Sequence, residues 1–189
     1  PADDVPDGVD EKDSVVIRTW GTPPKFDFPA LDHVELAERL DLLDVPRGAK
    51  TSGARFYYLK NEGALLHWAV CRFALDRLVK KGFVPMSVPV LVKREAMVGT
   101  GYFPGGEEQA YKIPEDDLFL VGTAEVSLCA YHTDEILNEA DLPKHYVGYS
   151  SCFRREAGTY GKDTRGIYRI HQFDKVEQVV ICRKIGRAS

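Results

Sequence analysis

The stretch "CFRREAGTYGKDTRGIYRIHQFDKVEQ", residues 152–178, decides how this chain folds. It holds six Lys or Arg and four Asp or Glu, yet hydrophobic, strand-like sequence leads into it and away from it. Side chains two apart share one face of a strand. From Arg169 onward this puts Arg169, His171, Phe173, Lys175 and Glu177 on one side, and Tyr168, Ile170, Gln172, Asp174 and Val176 on the other. On the preceding strand, read over 145–156, Arg154 and Glu156 share a face. The intervening "AGTYGKDTRG" has three glycines and charges of both signs, the make-up of a mobile functional loop rather than a tight turn. Paired antiparallel, the two strands present arginines, carboxylates and an aromatic ring on one surface. Such a surface can meet an anion bidentately, stack a flat ring and hold an amine. The plainer alternative is an amphipathic hairpin whose charged face is solvated.

Upstream, "DLFLVGTAEVSL" (117–128) reads as an apolar strand that turns polar at its end, with Thr123 and Glu125 two apart. A hydroxyl and a carboxylate there either display toward a ligand or make a turn. His67, His132 and His145 lack the spacing of a zinc site or a triad, and only His171 sits on the charged face. No Ser, Cys or His arrangement argues for covalent catalysis. Neither GxGxxG after a strand nor GxxxxGK[ST] is present, so a nucleotide must be held by side chains.

At 189 residues and 44% hydrophobic, the chain can bury one sizeable core. A net charge of −4 argues against nonspecific coating of nucleic acid. Cys71, Cys129, Cys152 and Cys182 form no CxxC pair and read as reduced, buried thiols of a cytoplasmic protein. No apolar run reaches the ~18 residues of a membrane span. Residues 1–14 are acidic and turn-rich, a linker from something preceding them. A strand is expected over "VVIRTWG", then a helix capped by Asp32 and stopped by Pro46. A second helix runs from an Asn61 cap to Lys81 and Gly82, burying Leu65, Trp68, Leu75, Leu78 and Val79. "FVPMSVPVLV" reads as an edge strand because of Pro85 and Pro89, "GTGYFPGGEEQAY" as a mobile surface loop, and "TDEILNEA" as a helix. The fold class is α+β, an antiparallel sheet flanked by helices.

"GTAEV" at 122–126, followed by the ordered string Arg-x-Glu-Ala-Gly, a loop and His-Gln-Phe-x-Lys-Val-Glu, resembles the catalytic domain of the seryl-tRNA synthetases, class II aminoacyl-tRNA synthetases. "FDFPALDHVELAERLDLLD" and "GARFYYLKNEGALLHWAV" resemble the segments opening that domain, so the likeness spans about residues 10–182. The resemblance implies a six- or seven-stranded sheet and a homodimer built on the helix from Asn61 and the strand around Pro89. It implies an ATP site from Arg154, Arg155, Glu156, Arg169, Ile170 and Phe173, with Arg154 on the α-phosphate, Glu156 on the adenine amino group and Phe173 stacked on the base. It implies a serine site from Thr123, Ala124, Glu125 and Glu177, and a mobile loop whose Lys162 and Arg165 touch ATP and the tRNA acceptor end in turn. The implied reaction uses ATP and Mg2+ to turn L-serine into seryl-adenylate and passes the seryl group to tRNA(Ser), without a protein nucleophile.

The family's N-terminal helical arm is expected before Pro1, and its third motif after Cys182, where residues 183–189, "RKIGRAS" from Arg183, look atypical. The chain alone is therefore expected to be weakly active or inactive, with 15–182 as a partial catalytic domain. Two other readings are a relative that loads an amino acid onto a carrier protein, and a non-catalytic fragment that binds ATP or a partner. Relatives of the first kind depart at the serine contacts and often carry zinc ligands, whereas Thr123, Glu125 and Glu177 are kept here.

Overall fold

The structure is a computed structural model and describes residues 7–158 and 165–183. It divides into two compact units, Pro1–Leu31 and Asp32–Ser189. Among the described residues of the first unit, one 3-10 turn forms at Glu11–Asp13, where Asp10 accepts from the Lys12 amide at 2.7 Å. The strand expected over "VVIRTWG" is absent. An extended segment needs a ladder partner for its amides and carbonyls, and Ile17 and Trp20 stay exposed.

The second unit opens with α1 (His33–Arg39). Asp32 accepts from the Val34 and Glu35 amides at 2.9 and 2.8 Å, the expected cap. The helix ends well before Pro46, at Leu40, and Asp41 turns left-handed. After β1 (Leu43–Asp44), Pro46 instead lies in the first turn of α2 (Val45–Ser52). A proline there forfeits no helical hydrogen bond, and Asp44 caps by accepting from the Arg47 amide at 2.9 Å. The short β2 (Tyr58–Leu59) pairs with β1.

Helix α3 (Asn61–Lys80) has the expected stop at Gly82, φ 88°. Asn61 is its first residue rather than its cap; its side chain donates to the Asp41 carbonyl at 3.0 Å. The expected burial is corrected for three residues, since Leu65, Trp68 and Val79 are exposed while Leu75 and Leu78 are half-buried. The face turned to the sheet is Ala64, His67, Cys71, Ala74, Leu75 and Leu78, an i, i+3, i+4 series.

Strands β3 (Val84–Ser87), β4 (Leu91–Val92), β5 (Tyr111–Ile113), β6 (Leu118–Leu120), β7 (Lys144–Phe153) and β8 (Gln172–Ile181) follow, with helix α4 (Arg94–Gly99) after β4 and α5 (Glu125–Ala130) after β6. They form sheets ordered β3-β7-β8 and β4-β6-β5. β7 and β8 pair antiparallel over their full length, Lys144 opposite Ile181 and Phe153 opposite Gln172. β3 pairs parallel to β7 at the edge, where Pro85 costs no ladder bond to a second neighbour. The α+β class holds, with this parallel pair in an otherwise antiparallel set.

Further expectations change. "TAEVSL" turns into α5 instead of extending the strand, burying Val126 and Leu128 on a helical face. "TDEILNEA" forms only a 3-10 turn, Glu139–Asp141, since Ile136 finds nothing to pack on and an isolated helix that short is marginal. The glycine-rich loop is anchored by Phe103, 2% exposed and edge-on to Phe119 at 5.0 Å. Two of the four cysteines, Cys129 and Cys182, are exposed, and Cys152 alone is buried. Among the described residues no helix is long and apolar enough to cross a membrane.

Candidate active site

Backbone pairing brings the two sequence constellations together. Val121 bridges the sheets: its amide donates to the Val90 carbonyl and its own carbonyl accepts from the Phe153 amide, both at 2.9 Å. Gly122 to Glu125 therefore lie beside the end of β7, where Arg154 begins. Thr123 and Ala124 are fully buried and Glu125 half-buried.

On β8, Phe173, Lys175 and Glu177 project on one face, as period two requires. Thr123 Oγ1 donates to Glu177 Oε2 at 2.7 Å, Lys175 Nζ donates to Thr123 Oγ1 at 2.9 Å, and Lys175 also pairs with Glu177. Burial pushes the Glu177 carboxyl up, but the bonds from Lys175 and Thr123 outweigh it and hold the pKa below the ordinary glutamate value. The Arg154 guanidinium lies over the Phe173 ring, 5.2 Å from its centroid, and its Nε and Nη2 both donate to the Gly122 carbonyl at 3.3 Å.

The shared face read for Arg154 and Glu156 is corrected. The ladder ends at Phe153 and Gln172, so Arg169 and Glu156 lie outside it, and Glu156 adopts a left-handed φ of 52°. The chain curls because Gln109 captures it. Its carbonyl accepts from the Arg155 amide at 2.9 Å, and its side-chain amide bonds both the N–H and the C=O of Ala157 at 3.1 Å. The curl nonetheless brings Glu156 to Arg169, 2.9 Å apart. Both line a cavity of about 420 Å³ with Tyr102, Gln109, Gly122 and Arg154.

Arg155 turns away from that cavity, its guanidinium 5.4 Å from the Tyr111 ring centroid. Ile170, next to Arg169 in the chain, is buried, and His171 Nδ1 bonds the Arg154 carbonyl at 2.9 Å. Arg165 pairs with Asp32 at 2.7 Å, at the head of α1. Lys162 lies outside the described residues. Tyr102, Gln109 and Lys175 were given no role by the sequence; Lys175 alone was visible there, through its place on the charged face. Burial pushes the Tyr102 phenol up, reinforced by the nearby Glu125 carboxylate. Among the described residues no group of three or more His, Cys, Asp or Glu is placed to hold a metal. They do not fit a protein-caged Mg2+, an ion that keeps several waters and commonly binds through substrate phosphates.

Residues 110–188 match the family described as tRNA synthetase class II core domain (G, H, P, S and T). The chain is 57% identical over 175 residues to the serine–tRNA ligase of Acidothermus cellulolyticus, covering 93% of this chain and 41% of that protein. The chain belongs to the seryl-tRNA synthetase family. Solved seryl-tRNA synthetases share the fold. The Pyrococcus horikoshii enzyme complexed with ATP superposes with a TM-score of 0.75 at 53% identity, covering 78% of this chain and 33% of that one. The cytoplasmic serine–tRNA ligase of Naegleria fowleri in complex with AMP reaches 0.85 at 33% identity, covering 92% and 42%. The chain thus spans about two fifths of the length of such relatives, and within that span it holds Thr123, Arg154 and Glu177.

Proposed function

We propose that the whole protein is a serine–tRNA ligase of the cytoplasm, and that this chain carries the face on which L-serine and ATP become seryl-adenylate. The observation that carries the reading is the adjacency of two unlike receptors. The Thr123–Lys175–Glu177 cluster offers a fixed carboxylate for an ammonium, while Arg154 over Phe173 offers a cation and a flat ring for a nucleotide. The P. horikoshii and N. fowleri relatives with ATP and AMP support the nucleotide half.

In this reading Glu177, Glu125 and Thr123 hold serine, Phe173 stacks on adenine and Glu156 accepts from the adenine amino group, with Arg169, Arg155 and the Ile170 backbone completing the nucleotide site. A serine carboxylate oxygen attacks the α-phosphorus, the bond to the bridging oxygen breaks and pyrophosphate leaves. Arg154 stabilises the charge that builds on the phosphoryl oxygens, using N–H groups beyond the two engaged by Gly122. Mg2+, when bound, would be held chiefly by the ATP phosphates rather than by a cage of these side chains, and would neutralise phosphate charge there. A ribose hydroxyl at the acceptor end of tRNA(Ser) then attacks the seryl carbonyl and AMP departs, with Lys162 and Arg165 on the loop that serves this step. Serine is favoured over alanine because a site that bonds a hydroxyl is left with unpaired polar groups when it is missing.

The protein is further proposed to act as a homodimer. Leu65, Trp68 and Phe73 of α3 and Val84 of β3 form apolar surface, each more than half exposed, that a second copy would cover. The test of the activity is serine-dependent exchange of labelled pyrophosphate into ATP, with Arg154→Ala as control. Exchange that vanishes in the variant supports the reading; a folded chain that binds neither ATP nor serine refutes it for this face.

A further inference from the structure

The Thr123 hydroxyl takes part in three hydrogen bonds. Its Oγ1 has one proton to give and two lone pairs to fill. Lys175 Nζ lies 2.9 Å away and the Glu125 amide nitrogen 3.2 Å away, and both can only donate. The single proton therefore goes to Glu177 Oε2 at 2.7 Å, the oxygen that Lys175 also pairs with. The bonding capacity of Thr123 is filled, and one oxygen of Glu177 is met twice by the protein itself. An incoming ammonium, also a pure donor, finds no lone pair left on Thr123, so Thr123 serves the amino-acid site by fixing the Glu177 carboxylate that can receive it.

We infer that Lys175 is a positioning residue of the amino-acid site: it sets the direction of the Thr123 hydroxyl and pins Glu177 so that its carboxylate receives the substrate ammonium. This deepens the serine-site reading and rests on it. Against the Glu177 carboxyl stand Lys175 on its own strand, Thr123 and the Gln178 backbone amide; Cys129 of α5 faces both Glu177 and Glu125, and Tyr102 from the loop after α4 faces Glu177, Glu125, Lys175 and Arg154. Burial pushes the Glu177 carboxyl up, and Lys175 is foremost among the contacts opposing that push. Removing the ammonium leaves burial less opposed, so the carboxyl titrates higher. Serine binding, which needs the carboxylate, then fails at a higher pH than in the parent.

The test uses carbon-13 carboxyl NMR of Glu177 across pH in the whole chain, alongside calorimetric titration with L-serine. Parent, Lys175→Met and Lys175→Arg are compared, with Lys175→Gln as a second neutral variant should the first fail to fold. The neutral variants are expected to titrate higher at Glu177 and to bind serine roughly tenfold more weakly, as loss of one charge-assisted bond implies. The acid limb of binding moves up in pH, and arginine restores the low titration. An unchanged Glu177 titration in a folded neutral variant overturns the inference, as does serine binding equal to the parent at every pH. Absence of serine binding in all chains, with Glu177 still shifted, defeats the serine reading while the orientation of Thr123 and Glu177 by Lys175 stands.

Discussion

Arg154 is held from two sides: its guanidinium stacks on Phe173 at 5.2 Å and donates twice to the carbonyl of Gly122 at 3.3 Å. In the proposed reaction the planar fork would already be oriented when a phosphate arrives, which would reduce the ordering cost.

Arg154→Ala is therefore expected to lower serine-dependent pyrophosphate exchange by about 10²–10³-fold, the range for loss of one preorganised donor at a developing charge. Arg154→Lys is expected to recover little, since an ammonium cannot bridge a carbonyl and a phosphate in one plane. Phe173→Ala is expected to weaken ATP binding by roughly tenfold or less, in line with a stacking contribution of about 1 kcal/mol. Because the two side chains touch, the double variant should lose less than the sum of the single losses.

Gln109 is expected to matter without touching the chemistry. Its side chain bonds both polar groups of Ala157 and so supports the left-handed Glu156, a conformation that costs a non-glycine residue about 1 kcal/mol or more. Gln109→Ala should let Glu156 relax, raising KM for ATP and eroding the preference for ATP over GTP while KM for serine stays near its parent value. Steady-state exchange with both nucleotides measures this, and an unchanged ATP-to-GTP ratio counts against it.

The residues of this site were legible in the sequence where strand periodicity applies and illegible where the chain leaves the ladder. Phe173, Lys175 and Glu177 share a face because they lie inside β8. Arg169 and Glu156 meet for a different reason, the capture of the curl by Gln109 from far upstream, and no local pattern announces such a contact. The α3 assignment likewise had the right element but partly the wrong face. Its apolar residues run nearly all the way round, so periodicity could not choose which side meets the sheet, and Leu65 and Trp68 stayed exposed while Ala64 and His67 turned inward.

On the opposite face of β8, Asp174 accepts from Ser151 at 2.7 Å and Tyr149 at 2.8 Å, and bonds His67 of α3 at 2.8 Å. Burial pushes its carboxyl up, but these bonds outweigh it and hold the pKa below the ordinary aspartate value; burial and the same aspartate push the Tyr149 phenol up to about 12. A carboxyl depressed in the folded state contributes stability above its unfolded pKa, near 4, and that contribution is lost as pH falls through the folded value. Asp174→Asn is expected to cost about 1–3 kcal/mol at pH 7 and to flatten the loss of stability below about pH 4. Urea unfolding of both chains at pH 7 and pH 3 measures it; equal acid sensitivity would exclude Asp174 as the source.

Two glycines in helices make opposite predictions from the same substitution. A Cβ on Gly48, buried in α2, would sit 2.4 Å from the Phe56 carbonyl oxygen and 2.5 Å from the Tyr57 Cα, backbone that cannot swing aside. Gly48→Ala should therefore force α2 off the segment leading into β2 and cost about 1–3 kcal/mol, as overpacking does. Gly99 ends α4 with nothing within 4 Å of its would-be Cβ and no left-handed φ. Gly99→Ala should be neutral or stabilise by up to about 1 kcal/mol, because alanine restricts the unfolded chain more than glycine does. Thermal melts of the two variants beside the parent decide the matter: a Gly48→Ala midpoint lowered by several degrees and a Gly99→Ala midpoint unchanged or raised are expected. A well-folded Gly48→Ala chain with the parent's midpoint would show that α2 and the Phe56–Tyr57 segment are not in the close contact described.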